Sequence, residues 1–148
     1  MRIAVIADTH GKLPVGIVKQ ISKADEIWHL GDFCNLETLH ACVAIGRPFY
    51  AVLGNNDYGL DLPETLQLTR GGKVFHLVHI PPKRQPVCDF LLYGHTHVPC
   101  DFLSETCRVL NPGTIGKPNK GAPPSWAWLH ITNDGQVDWK LVNIPPIQ

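Results

Sequence analysis

Gly94-His95-Thr96-His97 puts two imidazoles one residue apart, directly after the apolar run Phe90-Leu91-Leu92-Tyr93. A strand ending this way is a poor core element and a good metal site, because neutral imidazole is the commonest nitrogen ligand for divalent transition metals. If the loop stays extended, His95 and His97 diverge and serve two neighbouring ions. If it turns, they chelate one. Carboxylates and further histidines would have to reach the same place. The chain offers Asp8 and His10 in Asp8-Thr9-His10-Gly11, Asp32 after Gly31, Asn55 in Gly54-Asn55-Asn56-Asp57, and His79 ahead of Pro81-Pro82. Seven oxygen and nitrogen donors are too many for one tetrahedral zinc and enough for two ions sharing a carboxylate. No thiolate is among them, which suits manganese, iron, zinc or nickel better than copper(I) or an iron–sulfur cluster. Two carboxylates against four positive charges leave a net positive site, which should hold a bridging hydroxide and attract a phosphate ester. Two ions roughly 3.5–4 Å apart lower the pKa of such a water and clamp phosphoryl oxygens during in-line attack. That is metal-assisted hydrolysis, and it needs no protein nucleophile.

These donors must be positioned by the elements before them. Arg2 to Ala7 reads as a buried strand stopped by Asp8-Thr9-His10-Gly11. Leu13 to Ile21 has helical spacing, with Pro14 in the first turn. Glu26 to Leu30 is a second strand stopping at Gly31-Asp32, and Leu36 to Ile45 a second helix with Gly46 as its stop signal. Phe49 to Leu53 is a third strand stopping at Gly54-Asn55. The β-α-β-α-β order predicts a parallel sheet with right-handed crossovers, in which ligands bind beyond the carboxyl ends of the strands. Asp8, His10, Asp32 and Asn55 then share one rim. The second half reads as strands: Glu64–Thr69 and Lys73–Ile80 around Arg70-Gly71-Gly72, then Phe90–Tyr93, Asp101–Leu103 and Arg108–Leu110. Asn111 to Thr114 is a tight turn, Gly113 to Pro124 a long surface loop, and Ser125–Ile131 with Gln136–Ile144 a last hairpin.

At 148 residues the chain is expected to form one domain, 1–148, with a core that needs no staples. Hydrophobic residues make up 44% and charged ones 18%, an ordinary globular composition. Lys+Arg and Asp+Glu are both 13, so no long-range basic field gathers nucleic acid, and there is no basic stripe. No apolar run approaches the roughly 20 residues that span a bilayer, and the N-terminus lacks a cleavable leader. The five cysteines are odd in number and never spaced as Cys-x-x-Cys, which predicts reduced thiols and a cytoplasmic location.

Taken in order, Asp8-x-His10, Gly31-Asp32, Gly54-Asn55-x-Asp57, a strand-end His79 and Gly94-His95-x-His97 resemble the calcineurin-like metallophosphoesterase superfamily. The short length and the Asn111-Pro112-Gly113 turn resemble its small stand-alone phosphodiesterase branch, and the resemblance covers nearly the whole chain. It implies an α/β fold, a four-layer α/β/β/α sandwich of two mixed sheets flanked by helices, with metals at the strand ends. It implies that Asp8, His10 and His97 hold one ion, that Asn55, His79 and His95 hold the other, and that Asp32 bridges them. Asp32, Asn55 and His95 are then the catalytic residues, and two divalent ions the cofactors, manganese first, with zinc, nickel or iron(II) as alternatives. The implied substrate is a small phosphodiester rather than nucleic acid or a membrane component, and self-association into a homo-oligomer is compatible with the branch. The alternative is a non-catalytic scaffold: one eukaryotic branch of the fold, a subunit of a cargo-sorting coat, acts through protein contacts. Loss of ligands would favour it, and here all seven positions hold the expected residue type.

Three departures from the family pattern matter. Larger members place a histidine, proposed as general acid, after the Asn ligand, where this chain has Asn56 with no usable proton. Diesters or activated esters are therefore expected to react faster than simple alkyl monoesters. Small members have His-Gly-His where this chain has His79-Ile80-Pro81. The connection from His79 to His95 has only 15 residues between them, where relatives fit a helix, which predicts a more open site or room for a partner subunit.

Other polar and aromatic residues read as structural. His29 is expected to be a hydrogen-bonded core histidine, and His40, His76 and His130 structural or surface residues. Trp28, Trp126, Trp128 and Trp139 are expected in packing, Cys34 as a bystander near the site, and Asp57 as a brace for the Asn55 loop. Lys12, Lys83, Arg84, Lys117 and Lys120 are surface charges by default.

Overall fold

β1 (Arg2–Ile6) is buried along four of its five residues because it lies inside a sheet with neighbours on both edges. It pairs in parallel with β2 (Glu26–His29), which pairs in parallel with β3 (Phe49–Ala51). On its other edge β1 takes β9 (Ser125–Ile131) antiparallel, with Arg2 opposite His130, and β10 (Val137–Asn143) closes the sheet as a hairpin. α1 (Val15–Ile21) and α2 (Leu36–Val43) are the crossovers between the three parallel strands. The computed structural model describes residues 1–118 and 121–145; Lys120 lies outside them.

The second sheet is built from β4 (Thr65–Arg70), β5 (Lys73–Val78), β6 (Phe90–Leu92), β7 (Cys100–Leu103) and β8 (Arg108–Asn111), in the order β4-β5-β6-β8-β7. β5, β6 and β8 run parallel, while the two outer strands are antiparallel. The β4–β5 turn is Gly71-Gly72, both with positive φ, as a tight two-residue hairpin requires.

Between the sheets lies one apolar layer, with Ile3, Val5, Trp28 and Leu30 from the first sheet against Phe75, Leu77, Phe90 and Leu110 from the second. Phe75 stacks on Phe90 at 4.7 Å, and Trp28 meets Phe75 edge-on at 5.4 Å. The indole N–H of Trp28 donates to Glu26, which also takes Arg70 of β4 at 3.0 Å. This half-buried pair ties the two sheets where the apolar layer meets solvent.

The α/β class and the two mixed sheets agree with expectation. Both described helices pack on the outer face of the first sheet, against Ala4, Ile6, Ile27 and Trp126. The outer face of the second sheet, where the sandwich was expected to carry its second helical layer, is covered among the described residues by loops bearing Cys88 and Cys107 over Val78, Leu91 and Val109. The short His79–His95 connection forms no helix there.

Element boundaries differ from the sequence reading by one or two residues. Pro14 sits just before α1 in extended geometry rather than inside the first turn, and Leu13 joins the core without being helical. α2 is preceded by Asn35, whose side chain accepts from the Thr38 amide at 2.8 Å, a side-chain cap. Trp126 and Trp128 pack edge to face at 4.9 Å, and the Arg2 guanidinium lies over Trp128 at 4.1 Å.

Candidate metal centre

The ends of β1, β2, β3, β5 and β6 deliver their polar residues to one rim. The turns there are abrupt. Among the described residues, the six non-glycine residues with positive φ are Asp8, His10, Asp32, Cys34, His95 and His97. Such conformations are costly for L-residues, persist only where surrounding structure imposes them, and gather at functional sites. Here the imposing contacts are visible. The Asp8 amide donates to Gly31 O, the His10 amide to Asp32 O and the Gly11 amide to Phe33 O, so the two loops are laced together. A β-carbon on Gly54 would collide with the Asp32 amide and Oδ1; only glycine lets the β3 end lie this close.

The first group of donors is Asp8, His10 and His97. His97 Nε2 lies 3.3 Å from Asp8 Oδ1 and 3.2 Å from His10 Nε2, and His10 Nε2 lies 3.8 Å from Asp8 Oδ1. His97 Nδ1 sits 2.6 Å from the Lys117 carbonyl. Nδ1 must therefore carry a proton, and Nε2 is left facing the carboxylate. Asp8 is fully buried, its Oδ2 accepts from the His95 amide at 3.0 Å, and its Oδ1 accepts no hydrogen bond.

The second group is Asn55, His79 and His95. His79 Nδ1 donates to Leu30 O at 2.7 Å, Asn55 Oδ1 lies 2.9 Å from His79 Nε2 and 3.1 Å from His95 Nδ1, and the two rings meet edge to face at 5.2 Å. Both nitrogens of His79 thus face acceptors. Burial disfavours its charge, but the Asp32 and Asp8 carboxylates and the Leu30 carbonyl outweigh burial and raise its pKa above the ordinary value.

Asp32 stands between the groups. Its Oδ2 is 3.5 Å from His10 Nε2 on one side and 3.4 Å from His79 Nε2 on the other. Asn56 holds both oxygens, its amide donating to Oδ1 and its side chain to Oδ2, each at 2.9 Å. Burial works against the charge, yet His79 and these two bonds hold the carboxyl well below the usual carboxylate range.

His95 and His97 do diverge, toward different groups. The loop is not extended, however: left-handed turns at both histidines aim the rings apart. Asp57 accepts from the amides of Asp32, Gly54 and Cys34 and braces the Asn55 loop as expected. His29 is fully buried and stacks on Phe33; its Nδ1 accepts from Gly31 and its Nε2 meets Thr9 Oγ1 at 3.1 Å. Burial pushes its pKa down to about 3, so it is a neutral structural ring.

Sequence reasoning missed four supports. Asn56 was noted for the proton it lacks, not for its grip on Asp32. Asn111 donates to Gly94 O and Thr96 Oγ1 and so pins the two-histidine loop, while Thr114 Oγ1 donates to the Asp8 carbonyl. Cys34 Sγ lies 3.3 Å from His10 Nδ1, closer than a bystander. Only the Asn111-Pro112-Gly113 turn carried a signal in the sequence.

The donor atoms of Asp8, His10, Asp32 and His97 all lie within 4.8 Å of one another. A fully buried carboxylate oxygen without a hydrogen bond is an unfavourable arrangement until a cation or proton is added. With no thiolate in the set, the residues fit a divalent metal of the manganese-to-zinc series.

Residues 1–134 match the family model described as the calcineurin-like phosphoesterase superfamily domain. The chain is 27% identical over 150 residues to the probable metallophosphoesterase YsnB of Bacillus subtilis, covering 90% of this chain and 86% of that protein. It is 29% identical over 165 residues to the probable metallophosphoesterase MJ0623 of Methanocaldococcus jannaschii, covering 97% and 82%. Among solved structures, the phosphoesterase YfcE of E. coli superposes with a TM-score of 0.77 at 24% identity, covering 98% of this chain and all of the other. Zinc-complexed Vps29 of Entamoeba histolytica gives 0.76 at 22%, covering 97% and 99%. These two share the fold. The motifs, the converging donors and the match over most of the sequence lead to one statement: this chain belongs to the calcineurin-like phosphoesterase superfamily.

Proposed function

We propose that this protein is a dinuclear metal-dependent phosphodiesterase acting on small phosphodiesters in the cytoplasm. The observation that carries the proposal is the position of Asp32, whose one oxygen faces His10 of the first group and His79 of the second at nearly equal distances. In this reading Asp8, His10 and His97 hold one ion, Asn55, His79 and His95 the other, and Asp32 bridges them. The metal pair, with manganese as the first candidate, supplies an activated water and neutralises phosphoryl charge.

The chain's own residues supply geometry. Backbone carbonyls take the Nδ1 protons of His79 and His97 and leave each Nε2 to face the site, the outer-shell arrangement that fixes tautomer and ring orientation. Asn56 fixes Asp32. Its amide is committed to that carboxylate, so it presents no acid to a leaving group. Protonation then falls to water, which favours diesters with good leaving groups over alkyl monoesters.

The scaffold alternative finds support in the Vps29 likeness of the fold. The intact donor set weighs for the enzyme. All five cysteines are free thiols, in keeping with a reducing compartment, and among the described residues no helix is long and apolar enough to cross a membrane. The test is hydrolysis of bis(p-nitrophenyl) phosphate by chelator-stripped protein with and without manganese. Metal-dependent turnover is expected. Absence of turnover with manganese, zinc, nickel and iron alike would turn the case toward the scaffold.

A further inference from the structure

Beside the metal centre, a cleft of about 410 Å³ opens between the end of β3, the start of β4 and the end of β5. Asn55 and His79 belong to both the centre and the cleft. Beyond them the walls are Leu53, Val78, Ile80 and Pro82, with Glu64 as the ionisable group at the rim. The contrast in chemistry is sharp. The centre is built from carboxylates and imidazoles, while its neighbour is apolar and contains no lysine or arginine.

Ile80 is central to this character. It is 51% exposed at the step from strand to loop and lines the cleft together with Leu53, Val78 and Pro82, so its side chain adds to one continuous apolar wall. Pro82 then carries the chain along the cleft. Because the cleft shares Asn55 and His79 with the centre, a substrate whose phosphate is held there has room to send one ester group toward these walls. The cleft flanks one donor group rather than lying across the centre from it, so it suits the ester group that is retained, not the one that departs in line. Beyond Asn55 and His79 its lining has no lysine or arginine, and with Glu64 among the lining residues it offers no side-chain counter-charge to a group carrying further negative charge, such as a second phosphate. Its volume is at the lower end of the range of small-molecule pockets and suits one or two rings.

We propose that this cleft is the specificity subsite for the retained ester group of the substrate, and that it takes an uncharged, flat, largely apolar ring system. The proposal rests on the phosphodiesterase reading and deepens it by naming the substrate class. Phosphodiesters with an aryl or nucleoside substituent qualify. Diesters with small alkyl or charged substituents do not.

The test compares phenyl p-nitrophenyl phosphate, methyl p-nitrophenyl phosphate and thymidine 5′-(p-nitrophenyl phosphate) on manganese-loaded protein. All three release the same leaving group, so intrinsic reactivity cancels when wild type is divided by variant. Wild type should favour the phenyl over the methyl diester by about tenfold in kcat/KM, the lower end of what one apolar contact achieves in a pocket. Ile80→Ser should remove most of that preference through KM, with kcat nearly kept, while Ile80→Leu should retain it. A 4-carboxyphenyl analogue should be a poor substrate that Glu64→Gln improves. The thymidine diester separates the two sources: turnover matching the phenyl diester points to nucleosides, and turnover matching the methyl diester points to simple aryl groups.

If the diesters are hydrolysed but Ile80→Ser leaves the phenyl-to-methyl ratio unchanged, the subsite is overturned and the phosphodiesterase reading stands. If no diester is hydrolysed, that reading fails, and binding decides the cleft alone. Phenylphosphonate should then shift the methyl resonances of Val78 and Ile80 where methylphosphonate does not, and equal effects of the two overturn the subsite as well.

Discussion

The two donor groups flanking Asp32 look equivalent as residue types and differ in physical state. In the first, a fully buried Asp8 has one oxygen without a hydrogen bond, and two imidazole nitrogens sit 3.2 Å apart and point at each other. In the second, Asn55 Oδ1 meets one nitrogen from each of its two histidines, and Asn55 and His95 are exposed. The first group is electrostatically unfinished without a cation. The second closes on itself through hydrogen bonds to Asn55 Oδ1 that a metal would have to displace. Desolvated charge also strengthens attraction for an ion. The expected consequence is an order of affinity, with the Asp8 group filling first and the Asn55 group second.

The strongest way to break this comparison is to remove what the groups share. Asp32→Ala should lose both metal equivalents and reduce turnover to background. Retention of two ions per chain, counted by elemental analysis, would refute the bridging role. Next in size come variants that should act on one side only. His10→Ala should abolish the tighter phase of a calorimetric manganese titration and His79→Ala the weaker. Equal loss of both phases in either variant would mean that the groups are not separate sites.

Asn56→Ala keeps the backbone bond to Asp32 Oδ1 and loses the side-chain bond to Oδ2. Supports of this kind typically change metal affinity or activity by about 10–100-fold, and the loss should fall on both titration phases because Asp32 faces both groups. The smallest expected effect is Cys34→Ala, which removes only a sulfur partner from His10 Nδ1. A loss of roughly tenfold or less, confined to the tighter phase, is expected from the weak acceptor strength of sulfur. An effect on the weaker phase would contradict the assignment of Cys34 to the first group.

The donors and the strand ends that carry them were legible because the signal is local. β1 and β2 are runs of Ile, Ala, Val and Trp cut short by Gly and Asp, and β9 was read to the residue because Ser125 to Ile131 is bounded by Pro124 and by the Asn133-Asp134-Gly135 turn. What was not legible depends on contacts between distant segments. That Asn56 reaches back to Asp32, or that the Lys117 carbonyl orients His97, follows from loops meeting across the rim and leaves no periodicity behind. The left-handed backbone at Asp8, Asp32, His95 and His97 was equally hidden: Asp and His tolerate it better than most residues, yet it is still uncommon for them, and here it is imposed by contacts between the loops. Chain length did carry information about the second sheet. The short segment after His79 supplies no covering helix, and the thiols of Cys88 and Cys107 lie there instead.

The pairing of β1 with β9 also bears on how the molecule is made. Arg2 is the register partner of His130, and the Met1 amine reaches the Ile131 carbonyl at 2.9 Å. A ribosome that has delivered everything through His97 has exposed every candidate ligand while one edge of the first strand still lacks its neighbour. Such an edge can pair with another nascent chain, and contacts between segments this far apart in sequence form late. Emergence of the last hairpin is therefore the step that seals the first sheet, and truncation before Ser125 would leave the ligands present on a sheet open at its centre.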